Sequence, residues 1–210
     1  MMLLREQVEG ARRVIVDRLQ SVCEVVTVAG AIRRGEAAVP NIVVVCLARW
    51  DKDPAHEGAK ALGVKRMLED LEREGVLDVY SRNMPRCKQF FLNNDYTAAM
   101  TNGAVLRGVP VDVHLTDASN FGVQMMVQTG PLAWTKAVTS RFGPLALLPD
   151  SFAYSQDRLW RSVAGKEGMQ MVPLRSEREY FRLLGITEVA PSLRSLEMVT
   201  KLVAVKRRAA

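Results

Sequence analysis

The segment Asn41–Ala48 constrains this chain more than any other, because Ile42-Val43-Val44-Val45-Cys46-Leu47 is apolar without a break. A strand with one wet face alternates apolar and polar residues, whereas an unbroken β-branched run marks a strand covered on both faces. Such a strand needs chain packed on either side of its sheet, and that predicts an α/β architecture. The flanks supply the other elements. Leu4, Val8, Ala11, Ile15, Leu19 and Val22 recur at steps of three and four, as in an amphipathic helix. Cys23–Ala29 reads as a strand ending at Gly30. Ala59, Leu62, Met67, Leu68 and Leu71 mark a second helix, closed by Gly75.

Further strands are expected at Val76–Ser81, Cys87–Leu92, Ala104–Arg107 and Val109–Leu115. Turns between them fall at Asn93-Asn94-Asp95, Gly103 and Gly108. From Phe121 the pattern is mixed until Pro131, which opens a helix carrying Leu132, Thr135, Lys136 and Thr139. Gly165-Lys166-Glu167-Gly168 reads as a hairpin turn between Arg158–Val163 and Met169–Val172. Ser176-Glu177-Arg178-Glu179 is a capping box for a helix that runs through Leu183 and stops at Gly185. The tail Lys206-Arg207-Arg208 is expected to be frayed and solvated.

Composition narrows the function classes. The formal charge of +6 and the pI near 9.5 favour an acidic partner, nucleic acid first. Only 6% of residues are aromatic, so no stacking platform for single strands is expected. No apolar run approaches the ~20 residues of a membrane span. Arg5, Glu6 and Glu9 interrupt the apolar positions of the N-terminus, which therefore does not read as a signal peptide. Cys23, Cys46 and Cys87 are widely spaced, which argues against a disulfide framework or a zinc site and fits a reducing compartment, the cytoplasm or nucleoid.

One stretch carries more chemistry than the rest. Gly30-Ala31-Ile32-Arg33-Arg34-Gly35-Glu36, followed by Asn41-Ile42-Val43, runs strand, glycine, short basic helix, loop and buried strand. Much later come Val111-Asp112-Val113-His114-Leu115, Val127-Gln128-Thr129-Gly130, Val172-Pro173-Leu174-Arg175-Ser176-Glu177, Phe181-Arg182-Leu183-Leu184-Gly185 and Ala190-Pro191-Ser192-Leu193-Arg194. Together these segments resemble the palm and thumb of the family X DNA polymerases, a subgroup of the polymerase-β-like nucleotidyltransferases. The resemblance covers nearly the whole chain. It implies a palm over residues 1–130, a mixed sheet with helices, and a small α+β thumb over 131–210.

In that family the first segment reads Gly-Ser-x-Arg-Arg-Gly, then Gly-Asp-x-Asp. A helix N-terminus and an arginine hold a triphosphate there, and alternate strand residues let two aspartates share two magnesium ions. The resemblance makes Gly30, Ala31, Arg34, Thr129 and Gly130 the nucleotide-binding positions, although Ala31 replaces a serine and Pro40 a glycine. Asn41 and Val43 stand where the first two metal aspartates belong. Asp112 matches the third. It is the remnant of the catalytic cluster and the candidate metal ligand, and His114 shares its strand face by the period of two. Asp51 and Asp53 are read as a solvated loop. Thr135 and Thr139 occupy positions that face the nascent base pair in the family.

The resulting expectation is a catalytically impaired homologue, without a cofactor, that binds DNA independently of sequence in an accessory role. Arg86, Lys88, Lys136 and Arg141 are its DNA-binding candidates, with Arg82, Arg158 and Arg161 in the same group. A nucleoside triphosphate and a protein partner are the other expected ligands. Two alternatives stand beside it: an active nucleotidyltransferase using magnesium on Asp112 and further ligands, and a protein-interaction module on the same scaffold.

Overall fold

The computed structural model describes residues 3–52, 60–84, 86–93, 108–163 and 168–209. The chain divides into two compact units, Met1–Asp117 and Ala118–Ala210. The division lies between Asp117 and Ala118, and the palm–thumb boundary at Pro131 remains what the resemblance implies. The expected strand Ala104–Arg107, the turn residues Asn94, Asp95, Gly103 and Gly165–Glu167, and the positions Asp53 and Ala59 lie outside the described residues.

The first unit is α/β. Its strands are β1 (Leu3–Leu4), β2 (Cys23–Val28), β3 (Ala38–Val39), β4 (Ile42–Ala48), β5 (Leu77–Met84), β6 (Cys87–Leu92) and β7 (Pro110–Thr116). Its helices are α1 (Arg5–Gln20), α2 (Gly30–Arg34) and α3 (Leu62–Arg73). Among the described residues, β2-β4-β7-β6-β5 form a five-stranded mixed sheet in which β4 and β7 run parallel and the other neighbours antiparallel. The unbroken apolar run became β4, as its pattern required. Ile42, Val44, Cys46 and Ala48 join Val8, Ala11, Ile15 and Leu19 of α1 and Val64, Leu68 and Leu71 of α3 in one core. Val43 and Val45 lie on the opposite face and are buried as well. Burying side chains of this size contributes roughly 1.5–3 kcal/mol each, so this core carries the unit.

Two features of this unit are absent from the sequence pattern. Leu3 and Leu4 pair antiparallel with Val39 and Ala38, tying the N-terminus to the loop ahead of β4. The Gln7 side chain accepts the Leu4 backbone N–H at 2.8 Å, which satisfies one of the free donors at the start of α1.

The second unit is α+β. It comprises α4 (Phe121–Thr129), α5 (Leu132–Thr139), β8 (Phe152–Ser155), β9 (Arg158–Ser162), β10 (Met169–Met171), α6 (Glu177–Leu184) and α7 (Leu196–Ala209). Gly122 lets α4 press against the start of α6, because a Cβ there would sit 2.3 Å from the Ser176 carbonyl oxygen. At the head of α6, Ser176 Oγ accepts the Glu179 N–H at 3.3 Å, and the Glu179 carboxylate accepts the Arg175 N–H at 2.6 Å. Gly185, with φ 67°, ends that helix in the left-handed region. β8 and β9 turn on Gln156 and Asp157, whose φ values of 52° and 58° are those of a tight hairpin turn. Asn120 and Gln124 both donate to the Asp157 carbonyl at 2.8 Å and hold that turn against α4.

The tail differs from its expected frayed state. Residues 196–209 form α7, and its basic end is anchored: Lys206 Nζ donates to the Leu147 carbonyl at 2.7 Å and Arg207 Nη2 to that of Pro144 at 3.0 Å. Among the described residues, no helix is long and apolar enough to cross a membrane.

Candidate functional site

The face of the first unit's sheet away from α1 and α3 carries Val43, Asp112 and His114 of the residues singled out by sequence. Register fixes their neighbours. Val43 on β4 lies beside Asp112 on β7, and Gln89 on β6 lies on the other side of Asp112. Asn41, just before β4, reaches the same point.

Asp112 is 9% exposed, and both of its oxygens are occupied by protein donors. Asn41 Nδ2 donates to Oδ2 at 2.5 Å and Gln89 Nε2 donates to Oδ1 at 2.7 Å. A carboxylate clamped by two amides is satisfied where it stands. The two-magnesium centre that the resemblance implies does not fit this donor set. Magnesium needs several hard oxygens, Val43 offers only a buried isopropyl group, and Asp112 would have to release an amide to bind an ion. Among the described residues, no three histidine, cysteine or acidic side chains gather where they could hold a metal.

Gln89 is the member of this group that sequence reasoning missed. A neutral amide in a strand carries no metal or nucleophile signal. Only the pairing of β6 with β7, a contact between distant segments, brings it to Asp112. His114 lies on the Asp112 face, opposite Val45 and Cys87 in the register, and is half-buried.

The glycine-arginine segment forms a short helix. α2 is five residues long and begins at Gly30, which is buried with φ 61°. Ala31 is buried among the residues of the helix-side core. Arg34, the last residue of α2, donates from Nε to Glu36 Oε1 at 2.7 Å, and its side chain is 12% exposed.

The basic candidates separate into structural and exposed groups. The Arg86 guanidinium carbon lies 5.2 Å from the Trp50 ring centroid, and Nη1 contacts Asp117 Oδ2 at 3.2 Å. The Arg86 carbonyl also accepts the Leu115 N–H at 2.7 Å, so this residue secures the end of β7. Lys88 stands in register with Val113, on the α3 side of the sheet and away from Asp112. Burial, with the Lys65 charge adding to it, pushes its ammonium below the usual lysine range. Arg82 contributes backbone to β5.

In the second unit, Arg158 is 6% exposed and donates to the Met171 thioether, so it is an interior group and not a surface contact as expected. Arg161 is exposed. Lys136 is exposed on α5, and Arg141 is exposed just beyond it. The Thr135 and Thr139 hydroxyls donate to the carbonyls of Val127 and Thr135 at 2.8 and 2.7 Å. Thr129 is fully buried at the end of α4. Gly130 has a packing reason of its own, since a Cβ there would lie 2.1 Å from Trp134 Cδ1.

Fold and site together define an α/β protein with a mixed sheet whose central polar group is an amide-clamped aspartate. No protein-family model matches the chain, and no curated protein matches it significantly.

Proposed function

We propose that this chain is a polymerase-X-like nucleotidyltransferase homologue that has lost nucleotidyl transfer and binds DNA in an accessory role. The observation that carries the first half is the state of Asp112: amides occupy both oxygens, and a buried valine stands beside it. In-line phosphoryl transfer draws its rate from metal ions that clamp the attacking and leaving oxygens. Here the donors that would hold those ions are an amide, a hydrocarbon and a carboxylate already engaged.

The second half is supported by the formal charge of +6 and by exposed basic residues such as Lys136, Arg141 and Arg161. Binding of this kind is made of phosphate contacts, is indifferent to sequence and falls steeply with salt.

Two measurements test the reading. Extension of a gapped or primed duplex with Mg²⁺ or Mn²⁺ is expected to give no product. Anisotropy titrations with duplexes of unrelated sequence are expected to give equal affinities that weaken together as salt rises, and charge reversal at Lys136 and Arg141 is expected to weaken all of them alike. Robust incorporation abolished by Asp112→Ala would overturn the first half. Flat anisotropy traces would overturn the second and leave a protein-interaction scaffold as the better reading.

A further inference from the structure

The loop after α5 holds an aromatic ring out in water on a fixed backbone. Phe142 is 74% exposed. Its own main chain is nevertheless pinned by Ser140, whose Oγ donates to the Phe142 carbonyl at 2.8 Å and accepts the Phe142 N–H at 3.2 Å. The remainder of the loop is tied down as well. The Leu147 N–H donates to the Ala137 carbonyl at 2.8 Å, and the Leu148 N–H to that of Ser140 at 3.2 Å. The exposure of the ring therefore belongs to a loop whose backbone is hydrogen-bonded.

The surroundings of the ring are basic. The Arg141 guanidinium carbon lies 4.7 Å from the Phe142 centroid and covers one face, while its Nη1 is steadied by the Asp150 carbonyl at 3.3 Å. The end of α7 reaches the same loop through the bonds from Lys206 to Leu147 and from Arg207 to Pro144. Asp150 is the acid whose charge acts on Lys206. One pre-set aromatic face within a cationic field matches the two halves of a nucleotide, a π-face and an anionic backbone. An apolar protein partner would call for a broader greasy surface with fewer charges at its centre.

We propose that Phe142 is a stacking platform for an unpaired base of single-stranded nucleic acid, with the flanking phosphates held by Arg141 and Arg207. The low aromatic content had argued against such a platform, but one rigid ring is enough for one base. This inference rests on the nucleic-acid reading above and adds a preference for unpaired strands.

The test compares a labelled single-stranded oligonucleotide with a blunt duplex at one fixed low salt concentration, using anisotropy. Phe142→Ala is expected to weaken single-strand binding about 5- to 150-fold and to leave the blunt duplex unchanged. Phe142→Trp is expected to retain binding. Arg141→Gln combined with Arg207→Gln is expected to weaken both ligands and to flatten the salt dependence. Equal single-strand affinity for the parent and Phe142→Ala overturns this site while the wider reading stands. A parent that binds no nucleic acid ends both. Pelleting with anionic phospholipid vesicles, lost in Phe142→Ala while oligonucleotide binding persists, would assign the ring to a membrane surface and overturn the proposal.

Discussion

If Asn41, Val43 and Asp112 descend from a metal-binding cluster, then returning carboxylates to the first two positions should recreate a divalent-cation site. Asn41 Nδ2 already sits 2.5 Å from Asp112 Oδ2, so Asn41→Asp places a second carboxylate oxygen against the first. Val43 is the register neighbour of Asp112 and is 7% exposed, so Val43→Asp adds a third carboxylate in a poorly hydrated place. Two like charges about 4 Å apart at an effective dielectric constant near 20 repel by about 4 kcal/mol. Proton uptake by one member relieves part of that repulsion. The double variant in chelator at neutral pH is therefore expected to be about 4 kcal/mol less stable than the parent. Like-charge crowding raises the folded-state pKa of these acids, so the folded state holds more protons than the unfolded one, and stability in chelator should fall as pH rises. An ion that binds the folded state at about a hundred times its Kd returns about 2.7 kcal/mol, or roughly 5–10 °C in Tm for a chain of this length. Thermal melts of the parent and the double variant, in EDTA and in millimolar Mg²⁺ or Mn²⁺, make the measurement. A double variant whose Tm ignores divalent ions, or a parent that gains as much from them, would refute the ancestry assigned to these three positions.

Other consequences follow from groups outside that face. Arg194 is buried between Trp134 and Phe181, with its guanidinium carbon 5.4 and 5.5 Å from their centroids, and its Nη1 meets Glu177 Oε1 at 2.6 Å. Glu177→Gln should lower stability in urea by about 3 kcal/mol, since it removes the counter-charge of a desolvated cation that keeps its bond to the Val189 carbonyl, and a loss well under about 1 kcal/mol would show that the charge of the pair is dispensable. At the other end of the chain, the hydrogen bond from Arg12 holds the Glu9 carboxyl at a pKa of about 2, against an ordinary 4.5. Its stabilisation is complete above pH 4.5 and disappears as pH falls toward 2, so Glu9→Gln should flatten the acid limb of the melting curve within that window.

How much of this was legible depends on how local the determinant was. β4 followed from its unbroken apolar run, and α6 from the Ser176–Glu179 box and Gly185, because each signal lies inside the element it specifies. α4 was not legible. Its sequence, Phe121-Gly122-Val123-Gln124-Met125-Met126-Val127-Gln128-Thr129, is apolar almost all round, and a helix buried on most of its circumference shows no amphipathic period. The β1–β3 pair is two residues long on each side, too short for any period, and arises from pairing across the intervening α1 and β2. α7 is tied down by carbonyls of Pro144 and Leu147, far away in sequence. For the site, the sequence gives residue identities at 41, 43 and 112 but not the partner that completes the group, because the value of Gln89 lies wholly in its position across from Asp112. The basic residues were the least legible, since Arg86, Lys88, Arg158 and Arg194 have interior or half-buried roles that charge counting cannot separate from surface ones.

The same geometry gives the Asp112 carboxylate a structural role. Deleting the Asp112 carboxylate would leave the Asn41 and Gln89 amides facing each other across an empty acceptor position, and an unpaired polar group in such a place costs roughly 1–3 kcal/mol. Keeping it needs no counter-ion beyond those donors, because a carboxylate can accept at both oxygens at once. An asparagine at 41 is compatible with Asp112 because the amide supplies a donor where a second carboxylate would repel. Gln89 does the same from β6, and Val43 adds no charge. Each of the three neighbours therefore tolerates a single buried carboxylate and would be less suited to a cluster of them. Asp112 is the acceptor that joins the start of β4 to the middle of β6 through β7, a structural role in the place where the resemblance implies a chemical one.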